Sequence, residues 1–292
     1  MSEREDDPRL ELASAARGMR RLLERERATG AGELVGASIV SALRAAGDGA
    51  RGSAIASSIA APAEDDSLFD RLTAAASRPG AGGPLPPRDP ALRAAIDAEA
   101  RPVLDQIATE VRACQKCALW KTRTQGVPGV GGALSGLVFV GEGPGADEDR
   151  LGEPFVGRAG QLLDKIIEAM NVAQLIPGVA LDRRTVFIGN IVHCRPPENR
   201  VPLPAEVEQS SPYLMRQLAA LKPRVICCLG KTAAEALLGE KSSLGAMRGR
   251  IYRFMGAKLI VTYHPAACLR NPGYKRPVWE DMQLLAREYL QD

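Results

Sequence analysis

Leu137-Val138-Phe139-Val140-Gly141-Glu142-Gly143-Pro144-Gly145-Ala146-Asp147-Glu148-Asp149 joins four consecutive apolar residues to a glycine-rich, acidic loop. An unbroken apolar run, rather than an alternating one, is what a strand shows when both of its faces are buried. Three further runs share this character: Val186-Phe187-Ile188, Val225-Ile226-Cys227-Cys228-Leu229 and Leu259-Ile260-Val261. Between them, helical stretches occupy 160–170, 204–220 and 232–238. This alternation predicts an α/β fold, three-layer α/β/α with a central four-stranded parallel sheet. Ligands of open sheets bind beyond the carboxyl ends of the strands, so the loops after these four runs are where chemistry is to be sought.

Away from this region the composition changes. Residues 1–90 carry 12 Lys and Arg against 14 Asp and Glu, net −2, whereas 91–292 carry 26 against 21, net +5. Of the 12 aromatic residues only Phe69 precedes position 91, and the leading segment holds 19 Ala with Gly, Ser and Pro. Such a segment lacks the bulk to fill a core. Residues 1–94 are therefore expected to be a low-complexity arm and linker, mostly disordered, with one amphipathic helix over 8–27, and the folded domain is placed at 95–292. No run approaches the roughly 18 apolar residues of a membrane span, and the charged start Ser2-Glu3-Arg4-Glu5-Asp6-Asp7 does not suit a secretory signal. A location in the bacterial cytosol or nucleoid is expected. There the six cysteines, at 114, 117, 194, 227, 228 and 268, would stay reduced, which favours metal ligation or burial over disulfides.

The loop after the first run, with Gly141, Gly143 and Gly145, invites a dinucleotide-binding reading. It fails, because Glu142, Asp147, Glu148, Asp149 and Glu153 face where a pyrophosphate would lie, and no Lys-Ser or Lys-Thr follows to form a phosphate loop. An acidic loop suits an activated water, a neutral donor or a divalent metal. Phe155 is either core or the surface on which a planar ligand stacks. Asn190 ends the second run; its amide complements an imide edge, and a turn-forming Asn is the other reading. His264, one of two histidines, ends the fourth run before Pro265. Arg195, Arg200, Arg248, Arg250, Arg270 and Lys275 fall in or near these loops. A cationic rim around an acidic pocket suits an enzyme that holds nucleic-acid phosphates while acting on an uncharged base.

From about residue 105 to 290 the chain resembles the iron–sulfur (family 4) uracil-DNA glycosylases. The resemblance rests on Cys114-Gln-Lys-Cys117, Thr122-Arg-Thr-Gln-Gly-Val-Pro-Gly129, Gly141 to Asp149, Gly152 to Leu163, Asn190-Ile-Val-His-Cys-Arg-Pro-Pro-Glu-Asn-Arg200 and His264-Pro265. It implies a monofunctional DNA-repair enzyme that flips uracil out of single- or double-stranded DNA and hydrolyses its N-glycosidic bond, leaving an abasic site, with no catalytic metal. It implies a uracil pocket of Gly141, Glu142, Gly143, Phe155, Asn190 and His264, and catalysis by His264 with Glu142 or Glu148 placing the water. The loop from His264 to Pro272 would be the wedge, with Leu269 its apolar tip and Arg270 on a phosphate. A monomer is expected.

The resemblance also implies a structural [4Fe–4S] cluster on four cysteines. Cys114, Cys117 and Cys194 take three places, and the fourth, about sixteen residues beyond Cys194, is Ser210. Ser210 ligates through oxygen, or the cluster is incomplete or absent, or a remote cysteine substitutes; zinc on the three cysteines is a further version. Cys227 and Cys228 fall in a buried run and read as core. Ser210→Cys would then raise iron content and thermal stability. The rival readings are a metal-dependent nuclease using Glu142, Asp147, Glu148 and Asp149, and a catalytically inactive DNA-binding module.

Overall fold

The computed structural model describes residues 85, 86, 88–239 and 241–291. The expected arm and its helix over 8–27 lie outside these residues, apart from the last few positions before 95. The first described helix, α1 (Pro90–Ala113), opens with Asp89 accepting from the N–H groups of Ala91 and Leu92 and with Pro90 in its first turn.

The four apolar runs form strands β2 (Leu137–Gly141), β3 (Phe187–Asn190), β4 (Val225–Leu229) and β6 (Ala257–Thr262), every residue of which is buried. They pair in parallel in the order β3-β2-β4-β6. Two short strands that the sequence reading did not include, β1 (Val130–Gly131) and β5 (Tyr252–Phe254), add antiparallel edges, so the sheet has six strands and is mixed rather than four-stranded and parallel. Two or three residues are too few for a periodic pattern to show.

Neighbouring residues on each central strand part to opposite faces. Val138, Val140, Ile226, Cys228, Leu259 and Val261 pack on one side, against α4 (Pro204–Leu221) and α5 (Lys231–Leu238). Leu137, Phe139, Val225, Cys227, Leu229 and Ile260 pack on the other, against α3 (Arg158–Val172) and α8 (Lys275–Leu290). Both sheet faces are thus covered, which accounts for the unbroken apolar runs and gives the expected three layers. Cys227 and Cys228 are core residues, one on each face. Among the described residues no helix is long and apolar enough to cross a membrane.

Chain order places the site. From β2 the chain passes to β3 on one side and then to β4 on the other. Loops leaving β2 and β4 therefore diverge and open a crevice above their carboxyl ends.

Candidate active site

All four central strands deliver residues to one cleft of about 520 Å³. Glu142, Gly143 and Glu148 come from the segment after β2, Asn190 from the end of β3, Gly230, Lys231 and Thr232 from the segment after β4, and His264 from the end of β6. Phe155 and Arg270 complete the walls.

Phe155 holds an uncommon conformation, φ 54°. A non-glycine residue there costs on the order of 1–3 kcal/mol, so its surroundings must impose it. They do so through the backbone on either side. Arg183 donates to the carbonyl oxygens of Pro154 and Phe155, at 2.6 and 3.0 Å, and also to Asp164. Glu148 Oε1 accepts from the N–H groups of Val156 and Gly157, each at 2.9 Å, and its Oε2 accepts from Gly145. Both oxygens of Glu148 are thereby spent on holding the chain around Phe155. The Phe155 ring lies 5.5 Å from the His264 ring, tilted by 30°.

Asn190 is 2% exposed, and its Oδ1 is buried with no hydrogen-bond partner. An unsatisfied buried carbonyl costs about 1–3 kcal/mol and calls for an explanation. Gly141 permits the arrangement, since a Cβ there would fall 2.5 Å from Asn190 Oδ1 and 2.6 Å from the Phe155 ring. Any other residue at 141 would push amide and ring apart.

His264 caps α7 (Pro265–Arg270), with Nδ1 accepting from the Ala266 N–H at 3.1 Å. A ring nitrogen that accepts carries no proton, so the neutral imidazole is protonated on Nε2. Burial, then the positive charge of Arg270, push the imidazole down to about 4, with Glu148 opposing. Gly230, at φ 99°, lets the strand β4 exit pass His264; a Cβ there would lie 3.2 Å from the His264 Cβ. The Thr232 hydroxyl donates to Glu142 Oε2.

Sequence reasoning did not reach Gly230, Lys231 and Thr232, although they follow an apolar run as the other loops do; the signal was position, not residue type. It also placed a loop over 264–272, where the structure has α7 followed by a single turn, Pro272–Tyr274, which Pro265 at the first helical position favours. Leu269, 44% exposed, lies outside the main cleft, in a neighbouring pocket with Arg158 and Arg270. The expected basic rim thins out as well. Arg200 is bound by both nitrogens to Glu206, at 2.7 and 2.8 Å, and Arg248 is paired with buried Asp281 at 2.8 Å, which leaves Arg270 and Lys231 as the cations lining the cleft besides Arg200.

The acidic residues do not gather as a nuclease would need. Asp149 accepts from the N–H groups of Thr124 and Gln125, Asp147 pairs with Arg150, and Glu148 is committed as described. Among the described residues no three His, Cys, Asp or Glu side chains are placed to hold a metal.

Cys114, Cys117 and Cys194 are no exception. They lie in one corner, between the end of α1 and the segment after β3, but each of the expected ligand positions other than Cys117 has a protein partner. Cys194 Sγ accepts from Arg123 Nη1 at 2.9 Å, and Cys114 packs on Tyr213. Ser210 Oγ accepts from the His193 backbone N–H at 3.0 Å and lies 3.0 Å from its Nδ1. Burial pushes the thiols of Cys117 and Cys194 up, against thiolate formation. A donor set with a hydroxyl in the fourth place, already engaged, does not fit a four-cysteine cluster.

Known proteins share this framework. The family model of the uracil DNA glycosylase superfamily matches residues 128–283. The chain is 42% identical over 188 residues to a type-4 uracil-DNA glycosylase of Archaeoglobus fulgidus, covering 62% of this chain and 90% of that protein. A type-4 enzyme of Saccharolobus solfataricus is 43% identical over 188 residues, with 62% and 83% covered. One from Thermotoga maritima is 37% identical over 185 residues, with 62% and 92% covered. The chain belongs to the uracil DNA glycosylase superfamily, among its type-4 members.

Proposed function

We propose that this chain excises uracil from single- or double-stranded DNA by hydrolysing the N-glycosidic bond, leaving an abasic site, and that it does so as a monomer in the cytosol or nucleoid. The observation that carries the reading is the buried, unpartnered carbonyl of Asn190 on a cleft wall beside the Phe155 ring. Uracil presents an N3–H donor between two carbonyl acceptors. Its donor satisfies Asn190 Oδ1 and its O4 accepts from Nδ2, while Phe155 covers the ring face. Cytosine offers a lone pair at N3, which would leave the buried carbonyl unsatisfied and is rejected on that ground.

Glycosidic cleavage builds positive charge on the sugar and negative charge on the departing base. Neutral His264, its proton on Nε2, donates to that developing anion without an earlier protonation step. Glu142 is the carboxylate that places water: Thr232 holds one of its oxygens, whereas both oxygens of Glu148 are engaged by backbone N–H groups. Glu148 is a positioning residue, acting through Phe155. The bond is inaccessible in a stacked duplex, so the nucleotide must turn out into the cleft; exposed Leu269 fills the gap and Arg270 holds a flanking phosphate. No step requires an iron–sulfur cluster or another metal.

An oligonucleotide with one uracil, incubated with the chain in EDTA and then treated with alkali, tests this. Scission at the uracil position only after alkali is expected. Scission without alkali, or none at all, would contradict it.

A further inference from the structure

The corner holding Cys114, Cys117 and Cys194 departs from its family at Ser210. Where the resemblance implies a fourth cysteine in α4, this chain has a serine, and it touches His193, the residue before the third cysteine. Ser210 is 7% exposed and its hydroxyl oxygen takes the His193 N–H; the hydroxyl proton is then free to meet Nδ1, 3.0 Å away. That leaves the imidazole protonated on Nε2, which is buried without a hydrogen-bond partner. Tyr213, one turn along α4, meets the imidazole edge-on at 5.7 Å. The buried serine thus satisfies the backbone N–H and Nδ1 of the buried histidine.

On the opposite side of Cys194, Arg123 provides a second fastening. One nitrogen donates to the Cys194 sulfur and to the Val111 carbonyl, and the other to the carbonyls of Arg112 and Cys114. Three of these acceptors lie at the end of α1 or just beyond it, where carbonyls lack helical partners. Arg123 thus ties the end of α1 to the segment after β3, and His193 with Ser210 ties that segment to α4. The three elements that a cluster would staple are already joined.

We propose that this corner is a protein-only latch: Arg123 with Cys194, and His193 with Ser210, replace an iron–sulfur cluster, and the chain folds and keeps its cleft without one. Cys114 and Cys117 are then thiols retained in a packed turn rather than ligands. The proposal is independent of the uracil reading, because its test measures iron and stability rather than excision.

The full chain, purified without oxygen from iron-supplemented cells, is assayed for iron and acid-labile sulfide, and its thermal midpoint is read before and after treatment with ferricyanide and chelator. Iron and sulfide far below one atom per chain, and an unchanged midpoint, are expected. Near-stoichiometric iron and sulfide, with a midpoint that falls on treatment, would overturn the proposal. Ser210→Ala is expected to lower the midpoint by roughly 5 °C by removing a buried partner of His193. An unchanged midpoint in that variant would also overturn it. Should the variant fail to fold, the iron and ferricyanide measurements on the unaltered chain decide alone.

Discussion

His264 and Thr232 show how single side chains set the chemistry. Because burial and Arg270 push the His264 imidazole down to about 4, it is neutral through the physiological range and gives no titration between pH 6 and 8. Excision rates should therefore stay level from about pH 8 down to about pH 5.5 and fall only as the ring approaches its pKa. A rate that drops through pH 6.5 would mean an exposed, ordinary imidazole. Thr232 makes a second test. Thr232→Val keeps the shape but leaves Glu142 without its donor, and should lower kcat about tenfold or more with little change in KM, while Thr232→Ser should restore it. A loss in KM alone would assign Thr232 to binding instead. Thr232 escaped sequence reasoning because a threonine after a strand is unremarkable until its hydroxyl is seen on a glutamate. That Asn190 and His264 would lie at the strand ends was legible because each closes an apolar run; Phe155 stood out only as an aromatic beside the acidic, glycine-rich loop, and the structure brings all three to one cleft.

Among elements, β2, β3, β4 and β6 were legible to within one or two residues, since burial on both faces leaves a composition that few other structures share. The sequence reading did not include helix α1, and part of its anchoring lies in two charged residues whose burial no local pattern announces. Arg93 is 1% exposed; it donates to the carbonyl of Ala133 at 2.8 Å, and to those of Lys222 and Leu221, at 2.8 and 3.1 Å. Asp97 accepts from the Ala133 N–H at 2.6 Å and pairs with Arg101. These polar groups bolt the helix to the segment before β2 and to the end of α4, beside an apolar stripe of Ile96, Ala100, Leu104, Ile107 and Val111. Arg93→Ala would leave three carbonyls without their donor, and a loss of about 3 kcal/mol or more is expected in denaturant unfolding. A loss below about 1 kcal/mol would show that water replaces the guanidinium at no cost.

At the scale of the whole molecule, the two histidines give the fold a sign in pH. His193 and His264 are both pushed down to about 4 from about 6.5 by burial. The unfolded chain binds protons that the folded chain refuses, so their contribution to stability is complete above about pH 6.5 and is lost as pH falls toward 4. For fully buried His193 the loss amounts to at most about 3 kcal/mol. Thermal midpoints should decline steadily from pH 6.5 to 4, and His193→Gln should flatten that decline; equal slopes in the two proteins would remove His193 from the account. The base pocket, where an orphaned amide, a fixed ring and a neutral imidazole meet, is proposed to take one planar imide. Its most direct test is single-turnover release of free uracil by the unaltered chain and by Asn190→Ala, with affinity for uracil-free DNA measured alongside. The account predicts uracil release by the unaltered chain, a rate at least about a hundredfold lower in Asn190→Ala, and equal affinity for undamaged DNA. Equal rates in the two proteins, or no uracil released by the unaltered chain, would contradict it.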